Sequence, residues 1–106
     1  MNRKYVAIIL SVVVILIAAP AAFAAPDGGA LYKSKCAGCH GADGGGMTAM
    51  GKAMKLRDLR SPDVQKLTDA ELTKVTADGK GKMPAYKGKL TDADISAVVA
   101  YMRTLK

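Results

Sequence analysis

The chain of 106 residues is poor in large aromatic side chains. It has no tryptophan, and its one phenylalanine, Phe23, lies near the N-terminus. Beyond Phe23 the only aromatic residues are Tyr32, Tyr86 and Tyr101. Aromatic residues supply much of the buried apolar surface of ordinary cores. The sequence therefore indicates a domain that does not build its core from its own side chains alone.

The sequence also has few residues that bind metals or form cross-links, since it contains two cysteines, Cys36 and Cys39, and one histidine, His40. Three such residues are too few for the four ligands of a structural zinc site, and one close cysteine pair makes no disulfide framework. A thioredoxin-like dithiol would need a βαβ context, but no strand signal or internal repeat is present. The C-x-x-C-H motif at residues 36–40 is instead typical of covalent attachment of a c-type haem.

The spacing of this motif has a chemical reason. Two thiols separated by two residues can each add to one vinyl group of the same porphyrin. The next residue, His40, then lies under the ring and offers a nitrogen to the iron. If so, the cofactor supplies the main chemistry, and the polypeptide holds and tunes it.

The N-terminal 24 residues have the features of a secretory signal peptide. Residues 1–4 are basic, residues 6–19 form an uncharged run, and residues 22–24 read A-F-A, a small-x-small cleavage pattern. We predict a signal peptide at residues 1–24 and one domain at residues 25–106. The alternative is an uncleaved anchor, because residues 5–25 approach the ~20 residues that span a bilayer. Either reading places the domain outside the cytoplasm, and cleavage makes it periplasmic.

A domain of residues 25–106 is small and modestly basic. Without Arg3 and Lys4 the chain keeps 14 basic and 9 acidic residues, a formal charge of +5. The electrostatic field of this positive charge favours acidic protein surfaces or an anionic membrane as partners. Nucleic acid is a poor candidate, because the chain shows no basic patch interleaved with stacking aromatics.

Helix signals dominate the domain, which we predict to be all-α. Capping residues predict four helix starts, at Asp27, Ser61, Thr68 and Thr91. The helix after Thr68 should end at Gly79. We expect loops at residues 41–55, which are rich in glycine, and at residues 80–90. In the last helix the apolar positions follow the i, i+3, i+4, i+7 pattern of a buried face: Ile95, Val98, Val99 and Met102.

Met83 is the candidate for the second axial position of the iron, because no second histidine exists. It lies in a loop between two predicted helices, and Pro84 restricts its backbone to extended conformations. Its soft sulfur would favour ferrous iron and raise the reduction potential. Met102, by contrast, lies on the apolar face of the last helix, where core packing is expected.

Three segments together resemble a small class I cytochrome c: C-A-G-C-H at residues 36–40, K-M-P-A-Y at residues 82–86, and L-T-D at residues 90–92 leading into V-V-A-Y-M at residues 98–102. The resemblance covers essentially the whole of residues 25–106. It implies the small class I cytochrome c fold around one haem c, with thioether bonds at Cys36 and Cys39. It also implies His40 as the proximal iron ligand, Met83 as the distal one, and electron carriage as the function.

The resemblance further implies that the first and last helices cross closely, with Gly28 and Tyr32 meeting Tyr101. One feature departs from the family, which usually has a proline after the haem histidine whose carbonyl accepts the histidine's other N–H. No proline occurs between His40 and Pro62. We expect another carbonyl in residues 41–55 to take this role.

Met47, Met50 and Met54 form a second pattern, since their spacing of three and four would align them on one helical face. A thioether copper site is one interpretation. Flexible apolar packing beside the haem is the stronger one.

The sequence as a whole predicts a monomeric, periplasmic electron carrier that is not an enzyme, because filled axial positions leave no site for a substrate. Four lysines flank Met83 and would steer redox proteins with acidic docking surfaces: Lys80, Lys82, Lys87 and Lys89. One alternative is a haem enzyme or gas sensor with a labile Met83 ligand. Another is a membrane-tethered redox subunit of a larger complex.

Overall fold

The computed structural model describes residues 25–106, so the predicted signal peptide lies outside the described residues. Within residues 25–106 there are six helices: α1 Gly28–Lys35, α2 Ala37–His40, α3 Ala49–Met54, α4 Pro62–Gln65, α5 Asp69–Asp78 and α6 Asp92–Met102. The same residues form isolated bridges at Lys80–Met83 and Lys87–Leu90 but no strand. The all-α prediction is confirmed. None of these helices has the length and hydropathy needed to cross a membrane.

The predicted helix starts are confirmed by their caps. The Asp27 carboxylate accepts a hydrogen bond from the Ala30 N–H at 3.0 Å, and the Ser61 side chain caps α4. Helices α5 and α6 begin with reciprocal capping boxes at Thr68 and Thr91. Each such cap stabilises its helix by about 1 kcal/mol. Gly79 ends α5 as predicted.

The prediction of a continuous loop at residues 41–55 is wrong for its second half, which forms α3. The Thr48 hydroxyl accepts a hydrogen bond from the Gly51 N–H at 2.9 Å and starts this helix. Lys55 ends it in the left-handed region, at φ 53° and ψ 50°. A glycine inside the helix normally disfavours it. Here Gly51 is needed, because a Cβ would lie 2.7 Å from the Cys39 carbonyl oxygen.

Helices α1 and α6 cross at close range. A Cβ at Gly28 would overlap the backbone carbonyl of Ala97 in α6. One turn later the rings of Tyr32 and Tyr101 pack with centroids 5.3 Å apart, tilted by 46°. Tilted aromatic pairs at this distance contribute about 0.5–1.5 kcal/mol beyond their buried area. The expected crossing of the first and last helices is confirmed.

Tyr32 also connects α1 to the chain that follows His40. Its side chain is only 1% exposed, and its hydroxyl donates a hydrogen bond to the Gly41 carbonyl at 2.7 Å. Burial raises the pKa of Tyr32 to about 12. The phenol therefore remains a donor throughout the physiological pH range.

The buried apolar cluster joins three helices. It consists of Val64 from α4, Leu72 from α5, and Val99 and Met102 from α6. Ile95 and Val98 are buried on the same helix as the last two. The predicted apolar face of α6 and the packing role of Met102 are confirmed.

The α1–α6 crossing predicts a large steric effect at Gly28. Gly28→Ala should lower the free energy of unfolding of the haem-loaded protein by about 1–3 kcal/mol, because one helix must move away from the other. Gly38→Ala is the matched control, since a Cβ there has no neighbour within 4 Å. Denaturant titration of both variants measures the difference. Equal stabilities would contradict the close approach.

Candidate functional site

The helices border an open-sided cavity of about 550 Å³. This volume lies within the ~300–1,000 Å³ typical of ligand and cofactor sites. Most of its lining is apolar and comes from the chain that runs from the end of α3 through α6: Leu56, Leu59, Val64, Leu67, Leu72, Val75, Val98, Val99 and Met102. The cavity is therefore walled largely by the side chains that also form the core.

Cys36, Cys39 and His40 lie on one short turn beside this cavity. Cys36 ends α1, where its N–H donates to the Tyr32 carbonyl at 2.8 Å, and it also begins α2. Neither cysteine is in a disulfide, and burial raises the pKa of the Cys36 thiol. A smaller space of about 90 Å³ is lined by all three residues. Two thiols and an imidazole thus meet at the wall of an apolar cavity.

The surroundings of His40 favour a neutral imidazole, which is the form that can bind a metal ion. Burial lowers the pKa of His40, which favours the uncharged imidazole with a free lone pair. Its Nδ1 atom is buried and has no hydrogen-bond partner among the described residues. The expectation that a carbonyl of residues 41–55 accepts this N–H is therefore wrong. The glycine-rich turn instead directs an N–H, that of Gly46, to the His40 carbonyl.

Met83 is held near the same wall by a loop with fixed ends. Met83 and Lys80 exchange backbone hydrogen bonds of 3.0 and 3.2 Å. Two further backbone bonds, from Tyr86 to Thr76 and from Lys87 to Ala77, tie the loop to α5. The Tyr86 hydroxyl donates to the Lys35 carbonyl at 2.9 Å and so connects the loop to the end of α1.

The structure brings His40 and Met83 to the same space. Residues that line both the larger and the smaller cavity are Cys36, His40, Met54, Leu56, Lys82 and Met83. Of these, His40, Met83 and Cys36 are predicted site residues, and Met54 has the packing role that its pattern favoured, whereas Leu56 as a wall residue only becomes evident in the structure. The i, i+4 relation of Met50 to Met54 after the Thr48 cap is the signal that could have predicted α3.

The side chains of Met47, Met50 and Met54 do not lie together on one surface of the cavity. Met54 lines the cavity, whereas Met47 precedes the Thr48 cap and is 69% exposed, and Met50 is 54% exposed. Met54 therefore packs beside the cavity, whereas Met47 and Met50 line neither cavity. In residues 25–106 there is also no cluster of three His, Cys, Asp or Glu side chains that would hold a metal ion.

The donor set fits a covalently held haem. The cavity offers an apolar enclosure, two thiols for attachment, a neutral imidazole and a thioether. Lys55 and Arg57 also line it, are exposed, and make no ion pair with a described carboxylate. Lys80 and Lys82 share these features, so four basic side chains without an ion-pair partner among the described carboxylates are available at this cavity for the anionic propionates of a haem.

Comparison with known proteins gives consistent matches. Residues 23–102 match the family described as cytochrome c oxidase, cbb3-type, subunit III. Cytochrome c6 of Leptolyngbya boryana is 38% identical over 78 residues, covering 74% of this chain and 88% of that protein. Cytochrome c6 of Picosynechococcus sp. is 33% identical over 108 residues, covering 94% and 92%. Among solved structures, the KustC0563 c-type cytochrome superposes with a TM-score of 0.70 at 32% identity, covering 76% of this chain and 98% of that one.

The Met83 loop depends on the absence of a side chain at Gly79. A Cβ there would lie 2.6 Å from the Met83 carbonyl oxygen and 2.9 Å from the Ala85 nitrogen. Gly79→Ala should therefore lower the unfolding midpoint of the haem-loaded protein more than Gly88→Ala. Both glycines have a positive φ, 76° and 86°, but the Cβ of an alanine at position 88 meets nothing within 4 Å. Equal midpoints in thermal unfolding would show that only backbone strain matters.

Proposed function

The chain belongs to the small single-haem class I c-type cytochromes and carries one covalently attached haem c, and from this we propose that it is an exported electron carrier whose iron is bound by His40 and Met83. The proposal starts from two confirmed predictions: the all-α class I cytochrome c fold and the single covalently attached haem c. The observation that carries the proposal is that His40 and Met83 line the same two cavities, together with the cysteine-bearing turn.

The roles of the site residues follow from their chemistry. Cys36 and Cys39 hold the haem through thioether bonds, which fixes its place against the apolar wall. His40 supplies a neutral imidazole from the end of α2. Met83 supplies a thioether, whose soft sulfur favours the ferrous state. The haem itself supplies one-electron chemistry between ferric and ferrous iron.

Lys55 and Arg57 are proposed to hold the haem propionates. Both line the cavity, and neither is neutralised by a described carboxylate. Charge pairing of this kind fixes the orientation of the cofactor edge and lowers the cost of leaving anionic groups beside an apolar cavity.

Electron carriage, rather than catalysis, agrees with the relatives named cytochrome c6. Filled axial positions leave no open coordination site for a substrate. The only histidine of the chain is used by the iron, so it is not available as a general base.

Redox proteins with acidic docking surfaces are the proposed partners of a monomeric carrier. Lys80, Lys82, Lys87 and Lys89 are all exposed on the Met83 loop. Two of them, Lys80 and Lys82, also line the larger cavity, so positive charge lies at the mouth of the site. Removal of residues 1–24 on export gives a periplasmic protein, whereas a retained leader would keep it at the membrane.

Replacing Met83 tests the ligand assignment. In Met83→Ala the reduced protein should bind carbon monoxide avidly, whereas the unmodified protein should not bind it, and the reduction potential should fall. A fall on the order of 100 mV is reasonable, because axial ligands set haem potentials over ~0.8 V. Met50→Ala is the control, since Met50 is exposed and lines neither cavity. The ligand assignment is lost if the absorption spectra of Met83→Ala and the unmodified protein coincide. Avid carbon monoxide binding by the unmodified protein would instead support the sensor or enzyme alternative.

The docking role of the loop lysines predicts a salt response. Second-order electron-transfer rates with an acidic redox protein should fall about tenfold as ionic strength rises from low to physiological values. Lys82→Gln should reduce the low-salt rate, while Lys74→Gln should not, because Lys74 is exposed on α5 and lines neither cavity. Stopped-flow measurements distinguish the two variants. A flat salt response, or equal losses from both substitutions, would remove the docking role.

A further inference from the structure

The peptide groups on both sides of His40 are held by hydrogen bonds from outside its helix. The Cys39 carbonyl, which belongs to the peptide that precedes His40, accepts from the Thr48 hydroxyl at 2.6 Å. The His40 carbonyl, in the peptide that follows, accepts from the Gly46 N–H at 2.7 Å. The next carbonyl, that of Gly41, accepts from the Tyr32 hydroxyl at 2.7 Å. Fixing both flanking peptides fixes the backbone dihedrals of His40.

This arrangement matters because the imidazole has no hydrogen bond of its own. In most histidine ligands the second ring nitrogen donates to a carbonyl or carboxylate, and that bond sets the ring orientation. Here Nδ1 has no partner among residues 25–106. The χ2 torsion of a histidine side chain, which sets the rotation of the ring, has an intrinsically broad distribution. The position of the ring therefore depends on its packing and on the backbone from which it projects.

Thr48 connects this backbone to a second element. Its hydroxyl oxygen accepts the Gly51 N–H at 2.9 Å as the cap of α3, while its proton is donated to Cys39. The missing side chain at Gly51 lets α3 lie directly against the haem-attachment turn, because a Cβ there would lie 2.7 Å from the Cys39 carbonyl oxygen. One hydroxyl thus fixes α3 and the peptide before His40 to each other.

We propose that Thr48 is a positioning residue for the iron ligand His40: its hydroxyl donates to the Cys39 carbonyl and holds the Cys39–His40 peptide, which orients a ring whose Nδ1 has no hydrogen bond of its own. The inference rests on the proposed ligation of the iron by His40. It goes beyond that ligation by assigning the orientation of the ring to a main-chain contact made by a residue that touches neither cavity.

Four variants of the haem-loaded protein separate positioning from helix capping. Thr48→Val removes both hydrogen bonds. Thr48→Asp keeps the acceptor for the Gly51 N–H but has no proton to donate to Cys39 when ionised. Thr48→Ser keeps both functions. Thr91→Val removes a comparable cap from α6, far along the chain from the attachment turn.

The readout is the proton spectrum of the ferric protein, because the paramagnetic shifts of the haem methyl groups depend on the orientation of the axial imidazole. Thr48→Val and Thr48→Asp should both shift these resonances and change their spread. Thr48→Ser and Thr91→Val should leave them close to the unmodified pattern. If Thr48→Val does not fold, Thr48→Asp alone decides.

Three results would overturn the proposal. An unchanged methyl pattern in Thr48→Asp would show that the donated bond does not orient the ring. A change in Thr48→Val but not in Thr48→Asp would assign the effect to the lost cap. An equal change in Thr91→Val would assign it to general loosening. Failure of the proposed function is separate, since it would show as absence of low-spin His/Met iron in the unmodified protein.

Discussion

The apolar wall that the chain shares with its cofactor is the constraint on which the rest of the structure depends. Val64, Leu72, Val99 and Met102 pack on one another, and all four also line the cavity. A domain of this size buries only ~60–65% of its unfolded surface, so little apolar area remains once one side of the core faces a cavity. Haem binding and folding are therefore thermodynamically linked, because the group that fills the cavity also completes the core.

The two sides of the site are held in different ways. On the His40 side, a single turn of helix lies under α3, and hydrogen bonds fix consecutive carbonyls. On the Met83 side, an exposed loop is attached at its ends, by backbone bonds to α5 and by the Tyr86 hydroxyl. Most residues of the Met83 loop are exposed, whereas most residues of the turn that carries His40 are not, and exposed segments open at a lower cost in free energy. The environment of the Met83 thioether accordingly changes more easily than that of the His40 imidazole.

Much of this architecture was predictable from local sequence signals. Capping boxes at Thr68 and Thr91 and the apolar face of α6 depend on residues three or four apart, which a sequence shows directly. Helix α3 was missed because it has only six residues and contains Gly51, whose presence reflects a contact with Cys39. The environment of Nδ1 was predicted wrongly for a similar reason. Which carbonyl a side chain meets depends on tertiary packing, and the compensating Thr48 contact spans nine residues.

The crossing of α1 and α6 also has a consequence for the order of events in synthesis. It joins the two ends of the described chain, Gly28 with Ala97 and Tyr32 with Tyr101, so it forms only after residues 92–102 are available. In a chain that emerges N-terminus first, Cys36 and Cys39 precede that helix by more than fifty residues. Contacts of such long sequence separation form late. The two thiols can thus meet the haem before the α1–α6 pair forms, and the topology allows covalent attachment to precede completion of the fold.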